Sequence, residues 1–290
     1  MKRIISSLLL IIVALSFSSC NVLAPVTDIT PSPANPSLAP GASVSPNKSQ
    51  NLTTPDKTAV IEASPTLTPA VTQKATPTKV PDLSLSGFII GLDPGHQTHG
   101  DSSLEPIAPG SSIMKKKVSS GTQGLWSKVP EYKVNLDVAL LLRDLLENAG
   151  ATVIMTRETN DVNISNSQRA LLFNEHKTDY ALRLHCNGND NHDIYGAFML
   201  IPNENPFLSD CRTAAELLIS AFCKNTDAKN LGITVRDDQT GFCWCNRMII
   251  NIEMGHMTNK KEDLLLTDPA YQIKMAQGLF NGISDYFRNK

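Results

Sequence analysis

The chain lacks a large charge of either sign, and this limits its possible partners. Its 26 Lys and Arg residues nearly balance 28 Asp and Glu residues, so the formal net charge is −2. A nucleic-acid-binding domain normally carries a basic face, and none is evident here. The one run of three basic residues, Lys115-Lys116-Lys117, stands among Gly, Ser and Pro residues. We interpret it as a solvated loop, with contact to an anionic polymer as the alternative.

Aromatic residues are absent from position 21 to position 87. Residues 21–84 instead hold eleven of the 18 prolines, together with many threonines and serines. Such a segment cannot bury enough apolar surface to offset the entropy lost when it becomes ordered. We therefore predict that residues 21–84 form a disordered tether and not a domain.

The chain also lacks an apolar run long enough for a mature membrane-spanning helix. Its N-terminus has the pattern of an export signal: Met1-Lys2-Arg3 is basic, residues 4–15 are apolar apart from two serines, and small residues precede Cys20. Because the pattern ends at a cysteine, residues 1–20 are similar to a bacterial lipoprotein signal. This similarity implies a lipid on Cys20 and an extracytoplasmic protein anchored to the cell membrane. Ordinary secretion, with an incidental Cys20, is the alternative.

Cysteine is scarce, with six residues in the whole chain. Without Cys20 an odd number remains, so at least one thiol stays free even in an oxidising compartment. Cys243-Trp244-Cys245 resembles half of a zinc-binding pattern, but no second pair completes a zinc ribbon. We predict a strand there, with both sulfur atoms on one face.

Strand and helix signals alternate over residues 85–290, a length that suits one α/β domain with a single core. Short apolar or β-branched runs predict strands at 88–92, 152–156, 180–184, 195–201 and 248–252. Apolar residues at helical spacing predict helices that begin near Pro130, Ser165, Ser209 and Asp268. This alternation predicts a single domain with a mostly parallel twisted sheet, covered by helices on both faces.

Residues capable of chemistry stand where the predicted strands end. His96 follows the first strand, His185 follows the third, and Glu253 follows the strand before the last helix. Glu131 lies in the first turn of the helix that is entered after the long 97–129 loop. Open α/β sheets bind ligands at the carboxyl ends of their strands, so we expect these side chains to meet. Two imidazoles and one carboxylate form a known catalytic zinc set, and a second carboxylate is then available to transfer protons.

The same residues carry a family resemblance. The domain is similar throughout its length to the zinc-dependent N-acetylmuramoyl-L-alanine amidases of the amidase-3 type. The matching motifs are Leu92-Asp93-Pro94-Gly95-His96, Glu131-x-x-Val134-Asn135-Leu136, Met155-Thr156-Arg157 with Asp161, His185-Cys186-Asn187, and Ile252-Glu253-Met254-Gly255 followed by Thr258-Asn259. The resemblance implies that His96, Glu131 and His185 bind zinc and that Glu253 is the catalytic carboxylate. The implied substrate is the peptidoglycan amide that joins the muramic acid lactyl group to L-alanine.

The sequence departs from the family pattern beside these motifs. Gln97-Thr98-His99 replaces the usual glycines, Arg183-Leu184 replaces a common Ser-Ile, and His256 replaces an apolar residue. Two other functions therefore stay open: a non-catalytic peptidoglycan-binding relative, and a zinc amidohydrolase or peptidase with a different substrate. The presence of all four site residues weighs against the non-catalytic relative.

The remaining polar residues of the motifs are assigned lesser roles. His99 lies in a loop and is at best an indirect neighbour of the metal, whereas His256 could line the site. Arg157, Asp161 and Arg169 are expected to form a structural, buried ion pair. His176 and His192 fall in predicted surface segments without a companion.

Overall fold

A computed structural model describes residues 84–290, which form a six-stranded sheet, a separate two-stranded hairpin and six helices. The strands are β1 Ile89–Pro94, β2 Asp101–Pro106, β3 Met114–Val118, β4 Thr152–Met155, β5 Tyr180–Asn187, β6 Ala197–Pro202, β7 Asn230–Arg236 and β8 Ile249–His256. The helices are α1 Glu131–Asn148, α2 Asn166–Glu175, α3 Leu208–Thr226, α4 Thr240–Trp244, α5 Lys260–Leu266 and α6 Pro269–Arg288. The predicted signal and the predicted tether, up to residue 83, lie outside the described residues.

The large sheet has the strand order β4-β1-β5-β8-β6-β7. Every neighbouring pair is parallel except β6 and β8, which run antiparallel. The prediction of a mostly parallel sheet with helices on both faces is therefore confirmed. The parallel central strands end at one edge, where β5 and β8 are in register with His185 opposite Glu253.

One face of the sheet carries the main hydrophobic core. Alternate residues of the central strands, such as Leu92, Leu182 and Ile252, pack with apolar residues of α1, α3 and α6. Helix α6 shows why the pattern was readable: its predicted stripe of Tyr271, Met275, Leu279 and Ile283 is buried, as expected for apolar residues three or four positions apart. Asp268 caps this helix by accepting from the Ala270 N–H, and Pro269 occupies its first turn.

Helices α2 and α4 cover the opposite face, which has a smaller apolar cluster that includes Phe173 and Phe242. Gly91 of β1 lies against Phe173, and a Cβ atom at this position would stand 2.5 Å from the ring. Ser165 forms the predicted capping box with Gln168 at the start of α2. Helix α3, however, begins at Leu208, one residue before the predicted Ser209 start, and no side chain caps it.

The structure corrects three local predictions. The interval 97–129 contains the antiparallel β2–β3 hairpin, and the three lysines lie on β3 and not in a loop. The hairpin sequence has little apolar alternation, so its strands left no clear signal. Cys243 and Trp244 belong to α4, and Cys245 ends it, so the predicted strand there is wrong. Edge strand β7 was also missed; all seven of its residues are half-buried or exposed.

Two further features concern residues 84–290 as a whole. The five cysteines within the described residues are all free. No helix in the described region combines the length and apolar character needed to cross a bilayer.

Candidate metal centre

The three residues expected to bind metal meet at the carboxyl edge of the sheet. His96 follows β1, Glu131 is the first residue of α1, and His185 lies near the end of β5. One ligand atom from each side chain lies within 4.8 Å of the other two. The Glu131 carboxylate oxygen is 3.2 Å from His96 Nε2 and 3.1 Å from His185 Nδ1. In the part of the chain that the structure describes, this is the one such cluster.

The hydrogen bonds orient each donor atom toward the cluster. His96 Nδ1 lies 2.9 Å from the Ser119 carbonyl oxygen, which can only accept, so the proton belongs on Nδ1 and the lone pair on Nε2. A metal-binding histidine usually binds the metal through one ring nitrogen and donates the N–H of the other to a group such as a backbone carbonyl. Burial lowers the pKa of His185 to about 4, so this imidazole is neutral near pH 7.

Glu131 is held in one orientation by backbone groups. Its Oε2 accepts from the Thr122 N–H at 2.8 Å, and its Oε1 accepts from the Cys186 N–H at 3.1 Å. Burial opposes ionisation of this carboxyl, but the charges and hydrogen bonds of His96 and His185 outweigh it and hold its pKa below the usual range. A carboxylate therefore faces two imidazole nitrogens, and such a donor set can hold a metal ion.

Two glycines make room for this cluster. A Cβ atom at Gly95 would stand 2.1 Å from the His185 ring, and one at Gly121 would stand 2.8 Å from both His96 and Glu131. His96 itself has a φ of 62°, a conformation that is uncommon for a residue with a side chain.

Three buried arginines support the turn that leads into His96. Arg157 donates to the carbonyl oxygens of Pro94 and Gly95, and Arg169 donates to those of Pro94 and His96. Arg169 and Arg183 both bind the fully buried Asp93, at 2.7 and 2.9 Å. The structural role predicted for Arg157 and Arg169 agrees with this network. The predicted ion pair is wrong in its partner, because Arg169 binds Asp93 while Asp161 is exposed.

Glu253 lies beside the cluster on β8, directly opposite His185. Asn251 Nδ2 donates to its Oε1 at 3.2 Å. Removal from water and the nearby charge of Glu131 raise the pKa of Glu253 to about 8. A cation held by the His96–Glu131–His185 cluster would favour the ionised form and lower this pKa. Glu253 is thus suited to exchange protons next to a bound cation.

A pocket of about 200 Å³ opens over these residues. It is lined by His96, His185 and Glu253 and by residues that the sequence did not place in the site, namely Lys115, Lys116, Asn166, Arg183, Asp238, Gln239, Thr240, Gly241 and Asn251. The available signal was strand alternation, because Arg183 and Asn251 precede His185 and Glu253 by two residues and so share their face.

The other histidines do not join the cluster. His99 is exposed, and its carbonyl oxygen accepts a hydrogen bond from Gln97. His256 is buried, with Nδ1 3.1 Å from the Gly196 carbonyl oxygen, and it does not line the 200 Å³ pocket. His176 and His192 are exposed, as predicted.

Fold and site together describe an α/β protein with a candidate metal centre at the end of its sheet. The family model for N-acetylmuramoyl-L-alanine amidase matches residues 90–285. The chain belongs to this family. It is therefore a peptidoglycan amidase, a hydrolase that acts on the cell wall.

Individual relatives agree with the family assignment. The chain is 27% identical over 229 residues to a germination-specific N-acetylmuramoyl-L-alanine amidase of Bacillus subtilis (strain 168), which covers 72% of this chain and 83% of the relative. The fold is similar to the crystal structure of an N-acetylmuramyl-L-alanine amidase from Mycobacterium smegmatis, with a TM-score of 0.65, 22% identity, and coverage of 71% and 99% of the two chains. An amidase from Clostridium difficile 630 aligns with a TM-score of 0.58, 23% identity, and coverage of 70% and 98%.

Proposed function

We propose that this chain hydrolyses the amide between N-acetylmuramic acid and L-alanine with a zinc ion held by His96, Glu131 and His185. Glu253 acts as the general base. The observation that most supports this proposal is the convergence of three ligand atoms within 4.8 Å, beside a carboxylate on the neighbouring strand. Two neutral imidazoles and one carboxylate leave a position open, as catalytic zinc sites require.

The mechanism divides the work between the ion and the chain. Zinc, when bound, supplies a Lewis acid that lowers the pKa of water and polarises the scissile carbonyl. Glu253 accepts a proton from the attacking water and returns it to the departing L-alanine nitrogen. Asn251 keeps the Glu253 carboxylate in place through its 3.2 Å hydrogen bond. Ser119 and Thr122 orient His96 and Glu131 in the same way.

Metal content and activity together test the ligand set. His96→Ala, Glu131→Ala and His185→Ala should each lose stoichiometric zinc and lose turnover. His99→Ala is the matched control, because His99 is an exposed histidine three residues from a proposed ligand. It should keep both zinc and activity. Full zinc occupancy in His185→Ala would rule out the assignment.

Digestion of intact sacculi tests the reaction. Mass spectrometry of the products should show stem peptides with a free L-alanine amino group and glycan with an intact lactyl group. Cleavage elsewhere in the peptide would instead support a zinc peptidase. Binding to sacculi without any cleavage would support a non-catalytic relative.

The N-terminal part of the proposal concerns location. Cys20 carries a lipid, and residues 21–84 link the membrane to the catalytic domain. A chain of about 60 residues has a root-mean-square span of about 45 Å, enough to work on wall near the membrane. Cys20→Ala should move the protein from the membrane fraction to the medium, whereas Ser19→Ala should not. An unchanged membrane fraction for Cys20→Ala would contradict lipidation.

A further inference from the structure

The pocket beside the candidate metal centre has a buried guanidinium in its floor. Arg183 donates to Asp93 at 2.9 Å, to Gln239 at 3.4 Å and to Asn166 at 3.2 Å. Arginine has five N–H donors, so two remain for a ligand. Asp93 is shared with Arg169, and one carboxylate therefore faces two guanidinium groups. The group of Asp93, Arg169 and Arg183 therefore carries one net positive charge.

Asn251 adds an unused acceptor to the same floor. It lies opposite Arg183 in the register of β5 and β8 and is 1% exposed. Its Nδ2 donates to Glu253, but its Oδ1 has no hydrogen-bond partner within residues 84–290. A buried polar atom without a partner is costly unless a ligand or water supplies one. The free N–H groups of Arg183 and the Asn251 Oδ1 acceptor thus lie side by side. A peptide that carries a carboxylate next to an amide N–H could bind to both.

The β2–β3 hairpin adds a second cation at the rim. Lys115 is bound to Asp238, and Lys117 lies 3.9 Å from Asp101. Lys116 lines the pocket, is exposed, and has no carboxylate partner in the described part of the chain. The Lys115 contact ties the hairpin to the residues before α4, across the pocket.

We propose that Arg183 and Lys116 bind a carboxylate of the stem peptide and so determine which stems the enzyme cleaves. This inference rests on the proposed amidase function. The fork of a guanidinium matches a carboxylate, whereas an uncharged sugar would leave the charge without a partner. Asn251 Oδ1 accepts an N–H of the same peptide.

Strand geometry indicates which carboxylate is bound. Arg183 lies two residues before His185 on one face of β5, so their side chains are separated by about 7 Å. An extended peptide advances roughly 3.3–3.6 Å per residue. A carboxylate on the residue after L-alanine is therefore at the right distance when the scissile amide lies at the metal centre. The carboxylate at the end of the stem is the alternative source.

Three synthetic substrates test the inference. They are N-acetylmuramoyl-L-alanyl tripeptides with all carboxylates free, with the second residue converted to its amide, and with the C-terminus converted to its amide. The full chain should cleave the free and C-terminally amidated forms similarly. It should cleave the form amidated at residue two with a kcat/KM lower by about tenfold or more, the size expected for a lost charge-assisted hydrogen bond. A lower kcat/KM for only the C-terminally amidated form would contradict our assignment of the bound carboxylate to residue two.

Neighbouring lysines provide matched variants. Lys116→Glu should reduce the preference for the free carboxylate by about threefold to tenfold at low salt and less at high salt, because the rim charge is exposed. Lys117 lies on the same strand but does not line the pocket, so Lys117→Glu should leave the preference unchanged. Arg183→Lys keeps a charge beside Asp93 but removes the fork, so the preference should fall further. Equal preference in Lys116→Glu, Arg183→Lys and the unchanged chain would overturn the inference.

A binding measurement distinguishes failure of this inference from failure of the proposed function. Under the proposal, Glu253→Gln binds substrate but turns it over at least about a hundredfold more slowly, so calorimetry can compare its affinity for the three peptides. Tighter binding of the free form than of the form amidated at residue two supports the inference. Equal affinity overturns it. Absence of cleavage of every form by the unchanged chain would instead overturn the proposed function.

Discussion

The two faces of the central sheet differ in what they do. The face under α1, α3 and α6 is apolar along the whole length of the strands, from Ile90 to Leu184 and Ile252. The face under α2 and α4 begins apolar, at Gly91 and Ala181, and becomes charged toward the carboxyl edge, at Asp93 and Arg183. Burial of apolar area provides most of the free energy of folding. The first face therefore contributes most of the stability. The second face buries less apolar area, because charged residues of the site occupy its carboxyl end.

Substitution of Glu253 should give the largest effect on activity. Glu253→Gln keeps the shape and the hydrogen bond with Asn251 but cannot accept a proton. Turnover should fall by about a hundredfold to ten-thousandfold, the usual contribution of general acid–base catalysis. Zinc content and thermal unfolding should stay unchanged, because Glu253 is not in the ligand cluster. Loss of zinc in this variant would indicate that Glu253 is the metal ligand and Glu131 the general base.

Asp93 is the residue of the charged face whose loss should cost most stability. Asp93→Asn leaves Arg169 and Arg183 buried without their counter-charge. Removal of one partner from a buried ion pair costs about 3–5 kcal/mol. Chemical denaturation should therefore show a lower free energy of unfolding. A variant as stable as the unchanged chain would mean that water satisfies both arginines.

The same residue predicts a pH dependence. Burial opposes the ionisation of Asp93, but Arg169 and Arg183 hold its pKa well below the usual range. A depressed pKa stabilises the fold above the unfolded-state value of about 3.9, and this contribution is lost as the pH falls toward the folded-state value. The difference in free energy of unfolding between the unchanged chain and Asp93→Asn should be constant from neutral pH to about pH 5. It should shrink in more acidic solution.

Leu182 provides the matched test on the apolar face. It is fully buried and neighbours Arg183 on β5, but its side chain points to the opposite side of the sheet. Leu182→Ala should lower the free energy of unfolding by about 2–5 kcal/mol. Zinc content and kcat of the folded protein should stay the same. A large loss of kcat would show that the two faces are coupled.

Ser165 should give the smallest effect. Its capping box with Gln168 begins α2, the helix that covers the charged face. Ser165→Ala should cost about 0.5–2 kcal/mol of stability. Ser209→Ala is the control, because Ser209 is exposed and does not cap α3. Equal melting temperatures of the two variants would show that the Ser165 cap does not stabilise α2 measurably.

Much of the fold was readable because its signals are local. The apolar stripe of α6, the capping box of α2 and the β-branched strand β4 each depend on residues a few positions apart. The hairpin and the Cys243-Trp244-Cys245 segment were misread for the converse reason. Their conformations depend on contacts with distant residues. The Glu105 carboxylate accepts from the Ser167 backbone N–H, and the Trp244 indole N–H donates to the Pro106 carbonyl oxygen.

The site divides in the same way. The sequence by itself placed His96, His185 and Glu253 near the carboxyl ends of their strands and Glu131 at the start of a helix, because apolar runs and turn residues are read locally. The family resemblance added the role of each residue. Only the tertiary structure decided that Arg183, Asn251 and Lys116 line the same pocket. The register of β5 against β8 and the position of the hairpin are set by pairing between distant segments. Side chains on one strand face alternate by geometry, but which faces meet is decided when the sheet assembles.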